Sequence, residues 1–392
     1  MSDSPLHKER LVAAATAATG LDDFGAGAWE EGLDVLLPSL RDEARLHELG
    51  ETIAVDEIVG YLVNRLRITD WRASHPAVAA GEITRPIVIV GQPRTGTTIL
   101  YDLLAQDPAH RAPQTWEVDN PCPPPQTATY TTDPRIAEVD ARLQMTDLLI
   151  PGFTAFHPMG AQLAQECVRM TGADFRSMIF SIQYRVPTYN RWHLDECDMA
   201  SAYRFHRQYL QHLQSEHPAE RWLLKSPAHL WHLPALLAEY PDAVIIQTHR
   251  DPLKVVASIS ALSAHLRQMT SIDPTVEEAA EQYQHDIFAG LDRFMAARDA
   301  GIVDGDQVVD VHFSAFVEDP LACIGRVYDQ LGLTLTGEAE AAMRSFLATN
   351  PGDGGGGGSR YSFAHTGLDA DDLRERATPY QERFGVRSEA VT

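Results

Sequence analysis

Cysteine is scarce in this chain of 392 residues: only Cys122, Cys167, Cys197 and Cys323, all far apart. With no C-x-x-C pair and no His/Cys ligand spacing, neither a disulfide framework nor a metal site organises the fold, and reduced, mostly buried thiols are expected. Long hydrophobic runs are missing as well. No window approaches the roughly 18–20 apolar residues of a membrane span, and the opening MSDSPLHKER is polar with no hydrophobic run behind it. A soluble, cytoplasmic protein without an integral membrane segment is expected. Positive charge is in deficit, with 32 Lys and Arg against 55 Asp and Glu and a net charge of −23. Non-specific attraction to nucleic acid or to an anionic membrane is thereby excluded. Any anionic ligand has to be held by a local basic cluster working against the global field. Finally, there is no internal repeat, no G-x-S-x-G elbow, no H-E-x-x-H and no G-x-G-x-x-G after a strand, so hydrolase, zincin and dinucleotide readings lose their usual support.

What is present starts with a composition, 44% apolar and 22% charged, that supplies a sizeable core. The stretch RPIVIVGQPRTGTTILYDLLAQDP (85–108) organises it. Ile87 to Val90 is a β-branched run of the length of a buried parallel strand. Gly91-Gln92-Pro93-Arg94-Thr95-Gly96 is then a loop leading into an apolar-periodic helix from about Thr97. Strand, glycine-bounded loop and helix start make an anion cradle, because the first N–H groups of a helix lack internal partners and glycine allows close approach. The spacing G-x-x-x-x-G-T-T matches a nucleotide phosphate loop except that Thr97 stands where that motif requires Lys.

Around this stretch, residues 8–70 read as helices with apolar stripes (Trp29, Leu33, Leu36, Leu40; Val59, Leu62, Leu66). Pro121-Cys122-Pro123-Pro124-Pro125 is a loop. Residues 134–215 are helical and rich in aromatics, including Phe153, Phe156, Phe175, Phe180, Tyr184, Tyr189, Tyr203 and Tyr209, which suits either a lid over an apolar acceptor pocket or plain core. Arg221 to Lys225 is a second strand, followed by a Ser226-Pro227 helix start restarted or kinked at Pro234. Ala243 to Thr248 is a third strand, with Asp251-Pro252 capping a helix to about Leu266. Val308 to His312 is a fourth strand, and Pro320 to Leu331 an amphipathic helix. Strands alternating with helices in this way predict an α/β fold with a doubly wound parallel sheet. DGGGGGS (353–359) reads as flexible. Three predicted strand ends carry a cation: Arg94, Lys225 and Arg250. In an open α/β sheet ligands bind beyond the carboxyl ends of the strands, so these three form the local cationic cluster that an anion needs.

On these residues the sequence resembles the sulfotransferases that use 3′-phosphoadenosine 5′-phosphosulfate (PAPS). GQPRTGTT (91–98) is similar to their 5′-phosphosulfate loop, which lacks the lysine of ATPases. Arg250 and Ser258 in HRDPLKVVASIS resemble their 3′-phosphate motif. LLKSPAHL resembles their Lys-then-His segment, and QPRTGTT, LKSPAHL and THRDP together are closest to a bacterial branch. The resemblance implies a three-layer α/β domain over 81–335 with a P-loop-like loop, a helical extension at 1–80, a helical lid insertion at about 134–215, and a tail at 336–392 belonging to the same domain. It implies transfer of a sulfonate from PAPS, without a metal, to a hydroxyl of a small or lipid-like acceptor, with a homo-oligomer possible.

The resemblance also assigns roles. Gln92, Pro93, Arg94, Thr95, Gly96, Thr97 and Thr98 would hold the 5′-phosphosulfate, Arg250 and Ser258 the 3′-phosphate, and Lys225 would neutralise the bridging oxygen or the transferring sulfonate. Arg360, after the glycine run, would close over the donor. For the general base Glu117 leads, followed by His229, with Glu166 and His157 in the insertion as further candidates. A phosphate-loop kinase or NTPase, and a non-catalytic nucleotide-binding protein, are the alternative functions.

Overall fold

The computed structural model describes residues 4–151, 159–303, 305–350 and 362–391. It divides into two compact units. One is built from Thr84–Ala112, Ala219–Ala264 and Thr275–Thr392 and holds the sheet; the other is built from Met1–Ile83, Pro113–Pro218 and His265–Pro274.

The sheet unit carries β1 (Ile87–Gly91), β2 (His110–Arg111), β3 (Arg221–Lys225), β4 (Val244–His249) and β5 (Val308–His312), in the order β2-β3-β1-β4-β5. Every neighbouring pair is parallel. β1 is buried at all its positions, as an Ile/Val run covered on both faces should be. Ile87 lies opposite Leu223 on one side and Val244 on the other. The chain places β2 and β3 to one side of β1 and then crosses to place β4 and β5 on the other. The strand order therefore reverses at β1, where a doubly wound sheet opens its ligand crevice. The four expected strands are all present; β2 escaped prediction because two residues show no alternation.

Local signals set the helix ends. Asp251 Oδ1 accepts from the Leu253 N–H (3.0 Å) at the start of helix Pro252–Arg267. Helix Pro320–Leu331 begins at Asp319, whose Oδ1 accepts from the Ala322 N–H (3.0 Å), and ends on Gly332 at φ 64°. After β3 the expected cap at Ser226 and restart at Pro234 are present, and only the first run differs from expectation. Ser226 does cap, but the run closes as a single 3-10 turn, Pro227–Leu230, and the α-helix starts anew at Leu233–Glu239 with Pro234 in its first turn. Tyr101 fixes helix Thr97–Leu104 to the sheet through a hydroxyl bond to Leu223 O (3.2 Å).

The second unit is helical. Lys8–Thr19, Trp29–Asp42 and Glu48–Ser74 are joined by Pro134–Leu149, Cys167–Gly172, Ile179–Gln183, Pro187–Asp195 and Ala200–Leu213. Phe175, Phe180, Tyr184, Tyr189, Tyr203 and Tyr209 are all buried in it, and Tyr61 from Glu48–Ser74 packs edge-on against Phe175 (6.4 Å) and Phe180 (5.7 Å). These aromatics are core shared with the N-terminal helices; Phe153 and Phe156 lie outside the described residues. Asp174, fully buried, accepts from Arg65 Nη1 and Arg176 Nη1, both at 3.0 Å. Burial pushes the Asp174 carboxyl up, and the two guanidiniums oppose that shift. Among the described residues no helix is long and apolar enough to cross a membrane.

Candidate active site

The loop after β1 is shaped by its two glycines. Gly91 sits at φ 146°, where a Cβ would stand 2.0 Å from Thr248 Oγ1 on β4. Gly96 caps helix Thr97–Leu104 at φ 84°, where a Cβ would meet the Phe313 ring at 2.9 Å. Between them Arg94 holds φ 69°, an uncommon conformation for a non-glycine residue that over-determined surroundings must maintain. Those surroundings are visible. Thr95 Oγ1 donates to Gln92 O (2.6 Å) and lies 2.6 Å from Thr248 Oγ1; Gln92 Nε2 donates to Ile287 O (2.7 Å); Pro93 is buried.

From this loop Arg94 Nε donates to Ser258 Oγ (3.1 Å), and Arg94 O accepts from Arg250 Nη1 (2.9 Å). The structure thus brings together a loop arginine, the arginine after β4 and a serine two turns into the following helix. Phe313, directly after β5, stacks on the Arg250 guanidinium at 4.1 Å. At the end of β3 the buried Lys225 donates from Nζ to Thr98 Oγ1 (3.0 Å), with the Tyr101 ring at 5.7 Å. Thr97 is buried in the same helix start. Two cations and two hydroxyls from separate segments therefore meet the loop and the helix it opens, an arrangement suited to oxyanions.

His249, just before Arg250, is buried between Asp310, 2.9 Å from Nε2, and the Tyr380 hydroxyl, 2.8 Å from Nδ1. Burial pulls its pKa down, against the raising effect of Asp310. It ties the end of β4 to β5 and to helix Ala370–Phe384, which steadies the backbone that presents Arg250.

The candidate bases fall in different units. Glu117 belongs to the helical unit and is fully buried. There it closes the capping box of the short helix Thr115–Asp119: Oε1 accepts from the Gln114 N–H (2.9 Å) and from the Tyr130 hydroxyl (3.1 Å). Glu166 is the N-cap residue of Cys167–Gly172 in the same unit. His229 belongs to the sheet unit, buried in the turn Pro227–Leu230 that follows Lys225. His157 and Arg360 lie outside the described residues.

Sequence reasoning missed Thr248, Phe313, His249 and Glu389, whose carboxylate accepts from Arg250. Their positions just after or at the ends of strands would have singled out the first three; no local signal marks the fourth.

Residues 86–337 match the Sulfotransferase family. Over 96% of the chain and 99% of its own length, the solved sulfotransferase STF1 of Mycobacterium tuberculosis H37Rv is 33% identical, with a TM-score of 0.84. Sulfotransferase STF9 of Mycobacterium avium is 28% identical over 100% of both chains, with a TM-score of 0.88. A curated relative from Mycobacterium bovis, omega-hydroxy-beta-dihydromenaquinone-9 sulfotransferase Stf3, is 25% identical over 276 residues, 67% of this chain and 66% of the relative. The loop without its lysine, the basic strand ends and these likenesses agree, and the chain belongs to the sulfotransferase family.

Proposed function

We propose that the protein transfers a sulfonate group from PAPS to a hydroxyl of a small or lipid-like acceptor and releases 3′,5′-ADP. The observation that carries this reading is the join between the two halves of the donor site: Arg94 of the loop bonded to Ser258, with its carbonyl held by Arg250. The residues fit such a donor. Lys225, Arg250 and the Ser258 hydroxyl meet a loop that carries Arg94 and opens onto a helix N-terminus, a donor set suited to two separated phosphates.

Bound PAPS supplies the sulfonate. Arg94 and the backbone N–H groups of Gln92 and of 94–98 hold the 5′-phosphate side, with Thr97 and Thr98 adding hydroxyl bonds. Arg250 and Ser258 grip the 3′-phosphate. Lys225 sits at Thr98 to neutralise charge on the leaving oxygen. In the step itself the acceptor oxygen bonds to sulfur while the sulfur–phosphate-oxygen bond breaks. The acceptor proton passes to Glu117, with His229 as the competing base, and the electron pair leaves on the 5′-phosphate facing Lys225. Charge stabilisation by prearranged donors is the main source of acceleration in such a site. A lipid-like acceptor is supported by the M. bovis relative, whose name is that of an enzyme acting on a hydroxylated menaquinone.

Incubation with sulfur-labelled PAPS and a lipid extract tests this reading. Label should appear in an organic product in step with 3′,5′-ADP release. Label that stays in PAPS or emerges only as inorganic sulfate would overturn it.

A further inference from the structure

The Arg250 side chain already holds an anion, and the chain supplies it. Helix Ala370–Phe384 ends on Gly385 in the left-handed conformation (φ 64°), and the following residues fold back. Gln381 Nε2 donates to Val386 O and to Ser388 Oγ, each at 3.3 Å. Glu389 then meets Arg250 fork to fork: Nε donates to Oε1 at 2.9 Å and Nη2 donates to Oε2 at 3.0 Å. The backbone of Glu389 is fixed as well. Its N–H donates to Asp251 Oδ2 (2.6 Å), and its carbonyl accepts from Arg374 Nη2 (2.8 Å), while Arg374 Nη1 donates to Asp251 Oδ1 (2.7 Å).

The remaining surfaces of Arg250 are engaged too, Nη1 with Arg94 O and one face with Phe313. The Nε–Nη2 edge is the one that matches a carboxylate or phosphate bidentately. A monoanionic carboxylate therefore lies where a phosphate would bind. Its side chain keeps 34% of its exposure, so a released Glu389 returns to water without a large desolvation change.

We propose that Glu389 is a displaceable counter-anion of the Arg250 subsite: the 3′-phosphate of the donor takes the Nε–Nη2 edge and frees the C-terminal strap, residues 386–391. This rests on the reading of Arg250 as the 3′-phosphate residue. A phosphate brings more charge and three acceptor oxygens, enough to engage Arg250 and Ser258 together; a nucleotide with a neutral 3′-hydroxyl has nothing with which to replace a carboxylate. Glu389 thus discounts donor affinity by the fraction of time the strap is closed, and narrows the margin over a nucleotide that binds with the strap in place. A strap closed about nine-tenths of the time lowers apparent affinity about tenfold.

The test is calorimetry on the full chain with 3′,5′-ADP and 5′-AMP, which differ only in the 3′-phosphate, together with amide hydrogen exchange. Glu389→Gln should bind 3′,5′-ADP about tenfold more tightly and 5′-AMP as before, and removal of residues 387–392 should reproduce the gain. In the unaltered protein the Glu389 amide should exchange faster with 3′,5′-ADP bound and unchanged with 5′-AMP. Equal or weaker 3′,5′-ADP binding by both variants, or an amide that stays protected, overturns the proposal. Arg250→Gln separates the two readings. If it abolishes the preference for 3′,5′-ADP while Glu389→Gln gains nothing, the displaceable anion alone fails. If it keeps the preference, the assignment of Arg250 fails and the proposal with it.

Discussion

Arg94 Nε and Ser258 Oγ lie 3.1 Å apart, joining the loop after β1 to the helix after β4, 164 residues further on. The bond couples the residue proposed for the 5′-phosphate to one proposed for the 3′-phosphate. Arg94→Ala should therefore weaken 3′,5′-ADP binding by about 10- to 100-fold, the range for losing a charge-assisted hydrogen bond of about 1.5–3 kcal/mol. Ser258→Ala, which removes a neutral hydroxyl, should cost only a few-fold. Titration calorimetry on both variants checks the order; equal losses would mean that Arg94 acts through Ser258 alone.

Gly91 tests the loop as a shape. Its φ of 146° and the 2.0 Å approach of an added methyl to Thr248 Oγ1 leave no room for alanine. Gly91→Ala should destabilise the protein by about 2–4 kcal/mol through backbone strain and overpacking. Adding Thr248→Ala should recover part of the steric share but none of the strain. Urea midpoints of the single and double variants measure both.

The general base can be separated from a helix cap because glutamine also serves in a capping box. Glu117→Gln keeps an acceptor for the Gln114 N–H and the Tyr130 hydroxyl while removing the charge. Turnover should fall at least about 100-fold, within the usual share of general-base catalysis, with the melting temperature nearly unchanged. Unaltered turnover in Glu117→Gln, with a large drop in His229→Asn, would transfer the role to His229.

Two buried histidines set a pH dependence of stability. Burial pulls His206 down to about 3 and His212 down to about 4, from an ordinary value of 6.5. Below pH 6.5 the unfolded chain takes up protons that the folded chain refuses, so stability falls as pH falls, over a window from about 6.5 down to the folded values. At full slope each group contributes about 1.4 kcal/mol per pH unit. His206→Leu should flatten the fall between pH 6 and 4.5 in denaturant titrations; an unchanged slope would contradict this account of the buried ring.

Asp174 is the hinge of a buried charge cluster with Arg65 and Arg176. Asp174→Ala should destabilise the protein by about 3–5 kcal/mol because it leaves the buried Arg65 guanidinium without its carboxylate and Arg176 with Glu31 alone. A loss under about 1 kcal/mol in urea unfolding would show that the cluster readily rehydrates.

Much of the sheet unit was legible because its signals are local. An Ile/Val run, a glycine-bounded loop and a Ser or Asp followed by Pro are each read within a few residues, and β1, β3, β4 and β5 follow from them. Strand-end cations could be expected to converge because parallel strands share one carboxyl edge; the bonds from Arg94 to Ser258 and from Lys225 to Thr98 follow that logic. Lys225 also stands out by scarcity, since Lys8 and Lys254 are the other lysines. What stayed hidden depends on distance along the chain. No pattern near Glu389 announces a carboxylate that returns to Arg250 across 139 residues. The aromatics of 175–209 look alike whether they line a pocket or fill a core, because burial, not periodicity, separates the two. Burial of Phe175, Phe180, Tyr184, Tyr189, Tyr203 and Tyr209, with the first two packed edge-on against Tyr61, is visible only in three dimensions.

The central claim is that the loop and the basic strand ends hold a nucleotide with a 3′-phosphate. Calorimetric titration of the unaltered protein with 3′,5′-ADP, ADP and ATP, in buffer containing EDTA, tests it most directly. Tight binding of 3′,5′-ADP, at least tenfold stronger than that of either other nucleotide and insensitive to added magnesium, is the predicted result. A preference for ATP or ADP, or binding that appears only with magnesium, would contradict it.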